Sequence, residues 1–302
     1  MISGESSGDI TYNRYLSSSA TSDEGWHLVA SPVGGETEND IITNGNLLTN
    51  DSSLYSFASY DNNSSGSAVW SYLNISAIAT LTSGKGYSVK RDGSGTIPFT
   101  GTYRTTNLKD YAISVGSQNS WNLVGNPFAS FISANDDTST AANFLTANSS
   151  ELDPSFSAIY VWNSSTKKYD IINNALESPK YLAPGQAFFL YAKTGGGEIA
   201  IRQTMQSHQS DDLFLKISAN ETPSITLSIS DWNSTKSTEI KYIEGATTGL
   251  DVGYDAGIFG AISNDFNIYS HLISDSEGIN FGLQCLPPEN YNSMQIPIGI
   301  NA

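Results

Sequence analysis

The strongest constraint on the fold of this chain is that a long stretch of it occurs twice. Gly25-Trp-His-Leu-Val-Ala-Ser-Pro-Val33 aligns with Ser120-Trp-Asn-Leu-Val-Gly-Asn-Pro-Phe128, so that Trp, Leu, Val and Pro recur at identical offsets. A second tryptophan follows in each copy, Trp70 lying 44 residues after Trp26 and Trp162 lying 41 after Trp121. Leu81-Thr-Ser-Gly-Lys-Gly-Tyr87 then matches Leu182-Ala-Pro-Gly-Gln-Ala-Phe188. Each copy closes with a glycine turn and an apolar strand, Gly93-Ser-Gly95 before Ile97 and Phe99, and Gly195-Gly-Gly197 before Ile199 and Ile201. A fixed order of four anchors marks an internal repeat, each copy being one structural unit.

Each anchor has a physical reading. Trp-X-Leu-Val begins a strand, and the proline six residues after the Trp ends it because it has no N–H to donate. The Gly-X-Gly/Ala-aromatic segment turns the chain sharply into another strand, and the leucine before it plugs the core. The anchors Trp26 and Trp121 are expected in the two cores. Thr140-Ala-Ala-Asn-Phe-Leu145 reads as a short helix capped by Ser139 or Thr138. Beyond Ser210 the alternation of Leu213, Leu215 and Ile217, of Ile225, Leu227 and Ile229, and of later runs at 239–243, 268–273, 279–283 and 295–300 reads as strands. The expected fold is all-β: a lead-in over 1–19, repeat units over 20–108 and 109–206 that are sandwich- or barrel-like, and an antiparallel β-sandwich over 207–302, truncated at its end.

Composition agrees. Only 15% of residues are charged, while 26 glycines, an 11% aromatic content and abundant Ser, Thr and Asn suit strands and turns over helices. Thirty acidic residues against fourteen basic ones leave a net charge of −16, which excludes nucleic acid as a partner because a phosphate backbone needs clustered Lys and Arg. Cys285 is the only cysteine, so no internal disulfide forms, and it reads as a small buried hydrophobe. No run of eighteen apolar residues exists, so no membrane insertion by a helix is expected. Met1–Gly8 lacks the pattern of a secretory leader, and the chain reads as a piece of a longer polypeptide. The Asn-X-Ser/Thr sequons at Asn74, Asn148, Asn163, Asn220 and Asn233 follow from composition.

Asn13-Arg-Tyr-Leu16, the two Trp-led blocks, Ala183-Pro-Gly-Gln-Ala-Phe-Phe189, Glu244-Gly-Ala-Thr-Thr-Gly-Leu-Asp-Val-Gly-Tyr-Asp-Ala256 and Leu283-Gln-Cys-Leu-Pro287 together resemble the C-terminal β-rich region of large secreted bacterial proteins exported by the type IX secretion system. The resemblance spans nearly the whole sequence. It implies a secreted or outer-cell-surface location, passenger domains in the same polypeptide, and a sorting domain after residue 302, which this sequence does not contain.

Chemistry is sparse. His27, His208 and His271 are far apart, with no HExxH, CxxC, Gly-X-Ser-X-Gly or Walker-type motif, and His27 is expected on the polar face of its strand, at the surface. The neighbouring carboxylates Asp136-Asp137 and Asp211-Asp212 read as solvated turns, since adjacent strand residues point to opposite faces. In Gly249-Leu-Asp-Val-Gly-Tyr-Asp-Ala-Gly257, Asp251 and Asp255 could hold calcium through carboxylate and carbonyl oxygens, or cap turns by Asx hydrogen bonds. No other cofactor is expected. Trp70, Tyr72, Trp162, Tyr169 and Trp232 are the candidate ligand-binding rings, in competition with core packing. The expected function is a non-catalytic structural or interaction module. The alternatives are a carbohydrate-binding or adhesin module, with polysaccharide or other surface proteins as partners, and part of a secreted hydrolase.

Overall fold

The computed structural model describes residues 8–18, 25–50, 53–74, 76–136, 143–176, 178–209, 222–232, 234–261, 266–289 and 291–301. The alternating run at Leu213, Leu215 and Ile217, the pair Asp211-Asp212, Asp137 and the expected caps Thr138 and Ser139 lie outside the described residues. The fold is all-β, with many antiparallel sheets and only short helices.

The two copies have one topology. In the first unit, Trp26–Val29 pairs with Tyr87–Lys90, which pairs with Leu54–Tyr60, which pairs with Trp70–Asn74. In the second, Trp121–Gly125, Ala187–Tyr191, Ile159–Asn163 and Lys168–Ile172 follow in the same order. Register agrees as well: Val29 lies opposite Tyr87, and Val124 opposite Phe188. A second layer is also repeated, Asp9–Leu16 pairing with Gly95–Tyr103 as Leu108–Ile113 pairs with Gly197–Ile201. The strand Asp9–Leu16 therefore belongs to the first unit by its hydrogen bonding.

One detail of the alignment changes. Tyr60 faces Trp70 across its hairpin, and Trp162 faces Tyr169. Tyr60 is thus the counterpart of Trp162, and Trp70 of Tyr169. The two aromatic types have exchanged strands, so aligning tryptophan with tryptophan crosses the hairpin.

At the centre of each Trp-led sheet both faces are buried, as along Tyr87–Lys90 and Ala187–Tyr191, which explains why the neighbouring Trp-X-Leu-Val is nearly continuous in apolar residues. Val29, Phe57 and Val89 face Ile97 and Phe99 in the first core, where Ile41 also packs. Val124, Ile159 and Leu190 face Ile199 and Ile201 in the second, with Phe144. The opposite faces present Leu28, Ala30, Leu123, Tyr160 and Phe189 to a third, shared core. Trp121 lies within it as expected, but Trp26 is only half-buried, because its ring packs against Tyr72, which is itself 38% exposed.

Two short helices depart from expectation. Glu38–Asn44 carries a Thr37/Asp40 capping box, with Asp40 N–H to Thr37 Oγ1 at 3.2 Å and Thr37 N–H to Asp40 Oδ2 at 2.9 Å. Phe144–Asn148 is capped by Asn143, whose Oδ1 accepts from Thr146 N–H at 2.7 Å.

The described strands of the third unit form one six-stranded sheet. Its order is Ser224–Ser230, Thr235–Tyr242, Phe281–Leu286, Asn267–Ser270 and Ile298–Asn301, with Ala256–Gly257 also on Phe281–Leu286. All pairs are antiparallel except Thr235–Tyr242 with Phe281–Leu286, which is parallel, Glu239 opposite Leu283. Leu283, Cys285, Ala256 and Phe259 enter the shared core, joining the third unit to the first two.

Candidate functional site

A pseudo-dyad relates the two repeat units. Val29 forms a bridge with Gln186 and, in the equivalent place, Val124 forms one with Lys85. Ala30 donates its N–H to the Gly185 carbonyl at 3.1 Å, and Gly125 donates to Gly84 at 2.9 Å. Each glycine turn therefore caps the Trp-led strand of the other copy. The turns require φ of +81° at Gly84 and +64° at Gly185, a region glycine enters without penalty.

This docking determines where the candidate rings go. Trp70 and Tyr169 both pack against Phe189, at centroid separations of 6.4 and 5.9 Å. Tyr169 stacks on Phe259 at 3.7 Å, and burial raises its hydroxyl well above the ordinary range. Trp162 lies 5.0 Å from Tyr169 and donates its indole N–H to the Trp26 carbonyl at 2.8 Å. These three rings converge as packing between units. Tyr72 stands apart, 38% exposed, its ring tilted edge-on to Trp26 at a centroid separation of 6.2 Å. Trp232 is fully exposed, at 102% relative accessibility, in the turn joining Ser224–Ser230 to Thr235–Tyr242.

The Asp251 and Asp255 carboxylates are engaged by turn hydrogen bonds. Asp251 accepts from Thr247 N–H at 2.7 Å and Thr247 Oγ1 at 3.1 Å. Asp255 is fully buried and accepts from Asp251 N–H at 2.7 Å and Cys285 N–H at 2.6 Å. Burial outweighs those two donors and lifts the Asp255 carboxyl to about 7. Burial likewise raises the Cys285 thiol, which lies inside the shared core. Among the described residues no third acid, histidine or cysteine joins them in a metal-binding group.

A cleft of about 390 Å³ lies between the first unit's strand Asp9–Leu16 and the second unit's hairpin at Ile159–Asn163 and Lys168–Ile172. Tyr15, His27, Trp162, Asn163, Ser165 and Asp170 are among its lining residues. Asn163 is held in one orientation: its Oδ1 accepts from Ser165 and Thr166 N–H at 3.1 and 3.2 Å, and its Nδ2 donates to Asp170 Oδ2 at 2.9 Å. Desolvation raises the Asp170 carboxyl despite that bond.

His27 is not the surface residue its strand position predicts. It is half-buried, and its Nε2 lies 2.8 Å from the Ser17 carbonyl, which makes Nε2 the protonated nitrogen. Desolvation pushes its pKa down, so the ring is neutral. Asn122 holds the equivalent place and donates Nδ2 to the Ser114 carbonyl at 2.9 Å. The cleft residues come from distant segments and carry no motif. The one readable signal was His27 against Asn122 at the same offset of the repeat.

The family described as "Domain of unknown function (DUF8693)" matches residues 2–302. No curated protein and no solved structure matches the chain.

Proposed function

The chain belongs to that family, whose description carries no activity, and we propose from the geometry that it is a non-catalytic structural and interaction module, a stiff body that spaces or presents a passenger in a secreted or cell-surface bacterial protein. The observation that carries this reading is the reciprocal docking of Val29 on Gln186 and Val124 on Lys85, closed by a core that all three units share. Units linked by flexible connectors move independently by default, whereas a large apolar junction fixes their relative orientation. Here the junction is aromatic: Phe259 of the third unit lies 4.7 Å from Trp121 and 3.7 Å from Tyr169 of the second, and Tyr60 of the first lies 4.9 Å from Phe189, centroid to centroid. The net charge of −16 favours a soluble body that repels anionic partners. The surface location is supported by the resemblance of the repeat anchors to type IX cargo.

Calorimetry of the whole chain tests the mechanical part. One cooperative transition is expected, and separate transitions for the repeat pair and the third unit would overturn it. Surface location is tested by probing intact cells expressing the full polypeptide. An antibody signal that requires lysis would remove that part.

A further inference from the structure

We propose that the cleft between Asp9–Leu16 and the Trp162 hairpin is a binding site for a neutral, polyhydroxylated ligand of the saccharide class, read by Asn163 and Asp170 and stacked by its aromatic rim. The pseudo-dyad pairs this cleft with a second junction between the units. The place equivalent to this cleft lies between the first unit's hairpin loop and the segment after Ile113. There the loop seals the gap: Asn62 Nδ2 donates to the Ser114 carbonyl at 3.0 Å, Ser117 N–H to Asn63 Oδ1 at 3.2 Å, and Ser117 Oγ to the Asn63 carbonyl at 3.0 Å. A side chain at Gly116 would overlap Asn62. The two halves of the repeat thus treat one junction differently, closed by protein in one and hollowed to about 390 Å³ in the other. That volume falls in the range of about 300–1,000 Å³ usual for small-ligand sites.

The walls select the ligand. Asn163 is oriented by three hydrogen bonds and presents a fixed amide beside the Asp170 carboxylate. Asp170 Oδ1 accepts no hydrogen bond among the described residues, so it can take one from a ligand hydroxyl. An amide donor next to a carboxylate acceptor suits vicinal hydroxyls, each of which both donates and accepts. Tyr15 stands 63% exposed at the rim and Trp162 forms part of the wall, giving ring surface for C–H faces. An anion would lie against the Asp170 carboxylate, while the guanidinium in the lining, Arg14, is only 5% exposed and sets Nη1 3.3 Å from the Pro184 carbonyl.

The proposal rests on the fixed docking of the two units described above, since they supply opposite walls. The test is a titration of the labelled whole chain with glucose, galactose, mannose, N-acetylglucosamine and cellobiose, followed at the tryptophan indole resonances. Saturable shifts at Trp162 are expected with at least one of them. Asp170→Asn, which can keep the bond from Asn163, is expected to weaken binding at least tenfold, and Tyr15→Ala, a rim change that leaves the core untouched, at least threefold. Binding that is absent for all five sugars, that maps to Trp232, or that is unaltered in both variants would overturn the proposal. A single calorimetric transition alongside any of those results would sink the cleft and leave the stiff-body reading standing. Two transitions would sink that reading instead.

Discussion

Ala30 and Gly125 occupy the same position in the two repeat units and meet each other across the pseudo-dyad, with room for one methyl group between them. A Cβ on Gly125 would overlap the Ala30 methyl. The neighbouring pair behaves the same way: Gly86 and Ala187 are equivalent, and a Cβ on Gly86 would fall 2.9 Å from that of Ala187. At each crossing one copy keeps alanine and the other glycine. The junction is fitted to a pair of units that are no longer interchangeable.

Gly125→Ala is therefore expected to destabilise the chain by about 1–3 kcal/mol through overpacking. The cause is steric, since Gly125 is not among the residues with positive φ. Moving the methyl across, in the double variant Ala30→Gly with Gly125→Ala, is expected to recover part of the loss. Gln186 O, at 3.2 Å from the new Cβ, prevents full recovery. Additive losses in denaturant titrations of the single and double variants would contradict the one-methyl account.

Stability is expected to fall as pH rises from about 4 to about 7. Glu36 is 2% exposed, and burial lifts its carboxyl to about 7, with Ser31 Oγ 3.4 Å away as a weak donor. The folded state therefore holds a proton that the unfolded chain, with a carboxyl pKa near 4, releases. The contribution is complete below the unfolded pKa and is lost as pH climbs through the folded one. Asp255 acts in the same direction, its carboxyl also lifted to about 7. Glu36→Gln should flatten the fall of melting temperature across this window. An unchanged slope would show that Glu36 is ionised in the folded chain.

Gln284 offers a gain. It is fully buried, and neither amide atom has a hydrogen-bond partner among the described residues. An unpaired buried amide costs about 1–3 kcal/mol, so Gln284→Met, which keeps most of the volume, is expected to raise the melting temperature by several degrees. A lowered melting temperature would mean that the amide is satisfied in solution.

Much of this architecture is legible in the sequence because the repeat preserves what backbone geometry requires. The Trp-led strands, Leu81 and Leu182 as core plugs, and the glycine turns at Gly84 and Gly185 are each imposed by sterics or burial. The cross-strand aromatics escape such reading. The shared core takes two large rings from each hairpin, and it accepts Tyr60 with Trp70 as readily as Trp162 with Tyr169. The helix Glu38–Asn44 is too short to show a period, although Thr37 and Asp40 carried its start signal. The cleft is harder still, since it exists only once two distant units have docked.

The exchange of His27 for Asn122 between equivalent positions yields the last prediction. Both side chains donate to the carbonyl of a serine that follows the unit's first strand, Ser17 at 2.8 Å and Ser114 at 2.9 Å. One hydrogen bond and one small side chain meet that need, so His27→Asn is expected to cost less than about 0.5 kcal/mol, whereas His27→Ala loses the bond at this exposed carbonyl and costs about 0.5–1.5 kcal/mol. The histidine adds a pH response that asparagine lacks. Desolvation lowers its folded pKa, so its stabilisation is complete above the unfolded value near 6.5 and is lost as pH falls below it. That is opposite in sign to Glu36. Comparing His27→Asn with the parent chain between pH 7 and 5 should therefore show the variant gaining more stability on acidification, because the opposing histidine is gone. An equal change would mean that His27 titrates alike in both states and that its tie to Ser17 carries no weight in the fold.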